Sequence, residues 1–339
     1  MTARRGFNTI IFGACLDGLF TAECTTNTLS VLDSLGRYGV FGLVGAQFDS
    51  GPSALAASST GGPPLEGLAA FITNVRDHPA LLGYYVFDDC CRESDADTRA
   101  LYTELKALDP FHILQAPLSG AQDKAWRYQA ASGPTRGGTP AFDVFTFEHY
   151  QLPGVGGGVT TSLQLQAYPL DFAPCWIMGE TSGQRDGHFP AESPAQTTVQ
   201  DWVAFIGGGV RGQLWFDLSY SVNDGVLEAA SQVGTQLAQL AGGILAPVAV
   251  KQPTAMSSTD GVLARAWEDS TGVVSVAVVN ERLTPVSNIS LRLVRVDGSM
   301  SGWANHSTYS NVREPFCLPL WWTHLRFITY DNQHMHSSE

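Results

Sequence analysis

Acidic residues recur directly after short apolar runs along this 339-residue chain. Asp88-Asp89 follow LLGYYVF (Leu81 to Phe87), and Glu148-His149-Tyr150 close FDVFTFEHY (Phe142 to Tyr150). Glu180 closes CWIMGE (Cys175 to Glu180), and Asp217 lies in QLWFDL (Gln213 to Leu218). Gln47 ends VFGLVGAQ (Val40 to Gln47), while Cys15 and Asp17 follow GFNTIIFGA (Gly6 to Ala14). Carboxyls that converge on one place raise one another's pKa values, so one stays protonated while another is ionised. That division suits general acid/base and nucleophilic work. A strand-end acid also caps a following helix. Capping does not account for Glu180, because the next helical stripe begins only near Thr197.

The elements that must position these acids follow from the apolar pattern. The runs are apolar without strict alternation, and HILQAPL (His112 to Leu118) is another of the same kind. Between them lie helical stripes: Leu29, Leu32 and Leu35; Leu65, Leu68, Ile72 and Val75; Leu101, Leu105 and Leu108. Further stripes run through Val199, Trp202, Val203 and Ile206, and through Val226, Ala230, Val233, Leu237 and Leu240. Strands of this type, separated by amphipathic helices, predict a parallel sheet covered on both faces. No glycine-rich nucleotide fingerprint follows any strand, so a doubly wound dinucleotide fold fits poorly. The pattern predicts a TIM-type (β/α)8 barrel, whose strand C-termini converge on one mouth. Seven runs match barrel strands two to eight, so the first strand is expected to be missing and to lie upstream of Met1.

HPALLGYYVFDDCC (His78 to Cys91) resembles the fourth-strand segment of clan A glycoside hydrolases. GFNTIIFG is similar to their second strand, FDVFTFEHY to their sixth, and CWIMGETSG (Cys175 to Gly183) to the seventh, which carries their nucleophile. The likeness covers about residues 5–245. It implies a retaining glycosidase with Glu180 as nucleophile and Asp89, or its neighbour Asp88, as acid/base. Where the family has Glu followed by Pro, this chain has Asp89 followed by Cys90. The shorter side chain leaves its carboxyl about an ångström back, a displacement that can cost on the order of 100-fold in rate. Substrate contacts are expected from Gln47, Glu148, His149, Tyr150, Trp215 and Asp217, with Tyr150 and Trp215 offering flat faces to a sugar ring. The alternatives are a barrel that binds carbohydrate without turnover and a divalent-metal enzyme using the same acids. The leading reading needs no cofactor and no metal.

After residue 246 the pattern changes. VLARAWE (Val262 to Glu268), VVSVAVVN (Val273 to Asn280), ISLRLVRV (Ile289 to Val296) and LRFITY (Leu325 to Tyr330) read as strands with no helical stripe between them. The expected organisation is a barrel over residues 1–246, a small antiparallel β-sandwich over 250–332 and a polar, flexible tail over 333–339. The net charge of −13, with three Lys among 19 basic residues, disfavours a nucleic-acid surface, which needs clustered positive charge. AGGILAPVAV (Ala241 to Val250) is far too short for a membrane span, and residues 1–12 show no export leader. Cys15, Cys24, Cys90 and Cys91 flank two loops of one barrel face, so disulfides between them are expected if the protein is exported. Sequons at Asn288 and Asn305 would then be open to glycosylation.

Overall fold

The computed structural model describes residues 6–13, 20–45, 66–86, 95–118, 142–148, 175–180, 194–208, 210–216, 224–245, 254–257, 260–270, 274–280, 290–294, 301–305 and 325–330. The chain divides into two compact units, one of residues 1–148 with 172–176 and one of 149–171 with 177–339.

In the first unit strands and helices alternate: β1 (Thr9–Gly13), α1 (Ala22–Gly36), β2 (Phe41–Gly45), α2 (Glu66–Val75), β3 (Leu81–Tyr85), α3 (Asp95–Leu108), β4 (Ile113–Leu118) and β5 (Val144–Glu148). The strands pair in parallel and in sequence order, with Thr9 opposite Phe41, Gly83 opposite Ile113 and Gln115 opposite Val144. Consecutive residues of β2 and β3 are buried on both faces, as the unalternating runs predict, whereas β1 is only partly buried. Leu43 and Leu114 from the sheet are fully enclosed together with Leu32 of α1 and Ile72 and Val75 of α2. The first turn of α1 is capped by Thr21, whose hydroxyl accepts the Cys24 N–H at 3.1 Å.

The His-Pro and Gly of the fourth-strand-like segment have identifiable tasks. The His78 N–H donates to the Val75 carbonyl at 3.0 Å, and the His78 carbonyl accepts Leu81 N–H at 3.0 Å, so the chain turns from α2 into β3 within five residues. Gly83 lies where β3 and β4 approach most closely. A Cβ there would collide with the Ile113 carbonyl oxygen and sit 2.6 Å from Ile113 Cγ1. Tyr84, one residue on, donates its hydroxyl to buried Asp109 at 2.7 Å. Asp109 also accepts from the backbone N–H groups of Phe111 and His112, and its second oxygen lies 2.8 Å from His112 Nδ1. Burial raises the Asp109 pKa, but these bonds outweigh it and hold the carboxyl below its ordinary range. Tyr84 is therefore a core residue, and desolvation with the nearby carboxylate pushes its phenol far up.

The second unit takes in the end of β6 (Cys175–Glu180), then α4 (Pro194–Gly208), β7 (Gly212–Phe216) and α5 (Asp224–Ile244). α4 starts three residues before the expected Thr197, on a proline that has no N–H to leave unpaired. Its stripe of Val199, Trp202, Val203 and Ile206 is buried as expected, as are Val226, Ala230, Val233 and Leu240 of α5.

Among the described residues six further strands follow in this unit: β8 (Thr254–Ser257), β9 (Val262–Glu268), β10 (Val274–Asn280), β11 (Ser290–Val294), β12 (Ser301–Asn305) and β13 (Leu325–Tyr330). They form two three-stranded sheets, ordered β13-β10-β9 and β12-β11-β8. Residues from both sheets share one apolar cluster, in which Ala255 and Leu291 pack with Val262, Ala266, Val276 and Val278. The expected all-antiparallel pairing is corrected at one edge. β13 runs parallel to β10, with Val274 opposite Leu325, because the chain makes its β11–β12 excursion before returning to the same sheet. β8 and β12 were not foreseen; they are short, and TAMS and SGWAN carry little β-type patterning. The outer face of β9 is covered too. Arg265 donates to the Phe205 carbonyl of α4 at 3.2 Å and lies over the Trp267 ring.

Candidate active site

Glu180 is the last residue of β6 and Glu148 the last of β5, each at the C-terminal end of its strand. Asp88, Asp89, His149, Tyr150, Asp217 and Gln47 lie outside the described residues. Among the described residues there is no group of three or more His, Cys, Asp or Glu able to hold a metal ion.

The structure is most informative around Glu180. Gly179 precedes it, and a Cβ on Gly179 would lie 2.8 Å from the Gln200 amide nitrogen of α4. The same Cβ would stand 3.7 Å from Asp201 Oδ1 and 3.8 Å from Gln213 Nε2. This side of β6 therefore rests directly on polar side chains of α4 and β7. Gln213 and Trp215 share one face of β7, and both donate to Asp201, Gln213 through its amide and Trp215 through its indole N–H at 3.1 Å. The indole of Trp215, expected to meet substrate, is thus tied by its N–H to the helix side of its strand.

Asp201 is 1% exposed. Burial pushes its carboxyl up to about 8, against the opposing effect of the Trp215 and Gln213 hydrogen bonds. Sequence reasoning passed over this residue because it sits inside the Val199 to Ile206 apolar stripe. The available signal was the acid itself at a position where the stripe demands burial.

A pH dependence follows from that shift. The native pKa lies above the 3.8 of an unperturbed aspartate, so between the two values the unfolded chain is ionised and the folded one is protonated. The contribution of this group to stability is greatest below about pH 4 and declines as pH rises toward 8. The slope reaches about 1.4 kcal/mol per pH unit at most. Urea unfolding of the wild type and Asp201→Asn between pH 4 and 9 is expected to give converging and then crossing curves, with the variant gaining relative stability as pH rises. Parallel curves would contradict the protonated state of Asp201.

Cys24 is disulfide-bonded. No helix among the described residues is long and apolar enough to cross a membrane.

The fold resembles that of solved structures. A glycoside hydrolase family 5 protein from Bacteroides vulgatus superimposes with a TM-score of 0.55 at 11% identity, covering 90% of this chain and 80% of its own. The fold is a TIM-type (β/α)8 barrel, as in that glycoside hydrolase. An exo-β-1,4-mannosidase from an Opitutaceae bacterium, strain TAV5, matches with a TM-score of 0.49 at 15% identity over 70% of this chain. The chain spans 54% of that mannosidase's length. A family 5 mannosidase from Rhizomucor miehei gives a TM-score of 0.48 at 10% identity, covering 71% of this chain and 86% of its own. No protein-family profile matches the chain, and no curated protein matches it in sequence.

Proposed function

We propose that the protein is a retaining glycoside hydrolase, with Glu180 as nucleophile and Asp89 as acid/base. The observation that carries the reading is the place of Glu180, the final residue of a strand in a clan A-like barrel, where catalytic groups of such barrels stand. In the first step the Glu180 carboxylate attacks the anomeric carbon, the glycosidic C–O bond breaks, and the leaving oxygen takes the proton of Asp89. In the second, the Asp89 carboxylate removes a proton from water. The oxygen attacks the same carbon and the ester bond to Glu180 breaks, so configuration is retained. The two carboxyls must stand about 5–5.5 Å apart for this chemistry.

Gln47, Glu148, His149, Tyr150 and Asp217 are assigned to the substrate, through hydrogen bonds to sugar hydroxyls and, for Tyr150, ring stacking. Trp215 is assigned a supporting part, since its N–H is engaged by Asp201. A disulfide at Cys24 fits an oxidising compartment, which supports an exported enzyme. Asp89 in place of a glutamate favours a second reading, a barrel that binds carbohydrate without turnover.

Asp89→Ala separates these readings. Hydrolysis of glycosides with poor leaving groups is expected to fall by about 10²–10⁴-fold. Dinitrophenyl glycosides, which leave without a proton, should still glycosylate Glu180 nearly as fast as before, and azide, which attacks without a general base, should restore the turnover lost in the second step. No rescue by azide, together with a strong effect of Asp88→Ala, would transfer the role to Asp88. Calorimetric binding of oligosaccharide by a wild-type protein inactive on every aryl glycoside would favour the second reading.

A further inference from the structure

The polar cluster behind β6 has no place in the two-carboxylate chemistry, yet it lies against the residue next to the nucleophile. A carboxyl is costly to bury unless it is paired, and an apolar side chain of similar size would fill the same space between α4 and β7 without that cost. Asp201 is nonetheless enclosed, and it holds two side chains of β7 at once: Gln213 by its amide and Trp215 by its indole N–H at 3.1 Å. Gly179 of β6 closes the third side. Its missing Cβ lets the strand settle onto Gln200, Asp201 and Gln213, at hypothetical distances of 2.8, 3.7 and 3.8 Å. Contacts made at Gly179 fix the backbone from which the next residue departs.

We infer that Asp201 is a positioning residue for the nucleophile: clasped to Gln213 and Trp215, it seats β6 at Gly179 and so sets the place of Glu180. This rests on the reading of Glu180 as nucleophile. A reacting group must be held within about 0.5 Å of its productive position, and a displacement of about 1 Å costs on the order of 100-fold.

The test is the rate at which Glu180 is trapped by 2,4-dinitrophenyl 2-deoxy-2-fluoro-β-glycosides of the gluco, manno and galacto series, followed by intact mass. This probe needs no proton donor, so the rate reports the nucleophile and not Asp89. Asp201→Ala is expected to lower the trapping rate constant about 100-fold with the apparent binding constant nearly unchanged. Asp201→Asn, which keeps shape and one acceptor, is expected to stay within about five-fold. If Asp201→Ala does not fold, Gly179→Ala takes its place, since the added methyl lifts β6 off the same side chains and the same loss is expected. Wild-type labelling at Glu180 with an Asp201→Ala rate, or failing that a Gly179→Ala rate, within three-fold overturns the positioning role alone. Absence of wild-type labelling at Glu180 overturns the reading of the nucleophile and the inference with it.

Discussion

Glu180→Gln is expected to remove glycoside hydrolysis by a factor of at least about 10⁴ while leaving the fold in place. The amide keeps the size and shape of the carboxylate but cannot attack the anomeric carbon. Position 180 ends β6, so the substitution lies at the edge of the fold's regular part. Circular dichroism and the urea midpoint should match the wild type within experimental scatter. In Glu180→Ala, where the side chain is cut away, azide should restore turnover of a dinitrophenyl glycoside with inversion of configuration, because the small anion takes the place of the missing carboxylate. Activity within a few-fold of wild type would remove Glu180 from the chemistry and leave the acid/base assignments without a partner.

The second large effect concerns stability. Gly83→Ala is expected to cost about 3 kcal/mol or more, because the added methyl meets the Ile113 carbonyl oxygen and lies 2.6 Å from its Cγ1 and 2.9 Å from its carbonyl carbon. Backbone atoms of a paired strand cannot rotate aside as a side chain can. Relief requires β3 and β4 to separate along Gly83–Ile113, Tyr84–Leu114 and Tyr85–Gln115. Chemical unfolding measures this directly, and a loss below about 0.5 kcal/mol would contradict the close approach of the two strands. The same observation explains a feature of the sequence: the glycine in HPALLGYY is there for strand spacing, not for a turn.

Much of the architecture was legible because burial follows period. The stripes through Leu68, Ile72 and Val75 and through Val199, Trp202 and Val203 are buried where the helical spacing put them. The run Val262 to Glu268 became a strand whose alternate residues Val262, Ala264 and Ala266 enter one apolar cluster. What escaped depends on pairings distant in sequence. The strand type of Leu325 to Tyr330 was readable, but its parallel partner was not, since a strand's own residues do not state its direction relative to a neighbour. The indole of Trp215 was readable in type but not in direction: its N–H turned to Asp201. Asp201 itself was hidden because polar clusters assemble from α4 and β7, and neither segment alone shows that its polar residues will be enclosed. The strand end at Glu180, by contrast, was readable, because an apolar run closed by a lone acid far from the next helix marks where β6 stops.

The claim on which the account rests is that Glu180 forms a covalent bond to the sugar. Peptide mapping of protein incubated with 2,4-dinitrophenyl 2-deoxy-2-fluoro-β-glycosides measures it most directly. The account predicts one fluoroglycosyl group per chain, released on transfer to an acceptor sugar and located on Glu180. A label on a different carboxylate, or rapid turnover of the parent glycosides with inversion and no label at all, would contradict it.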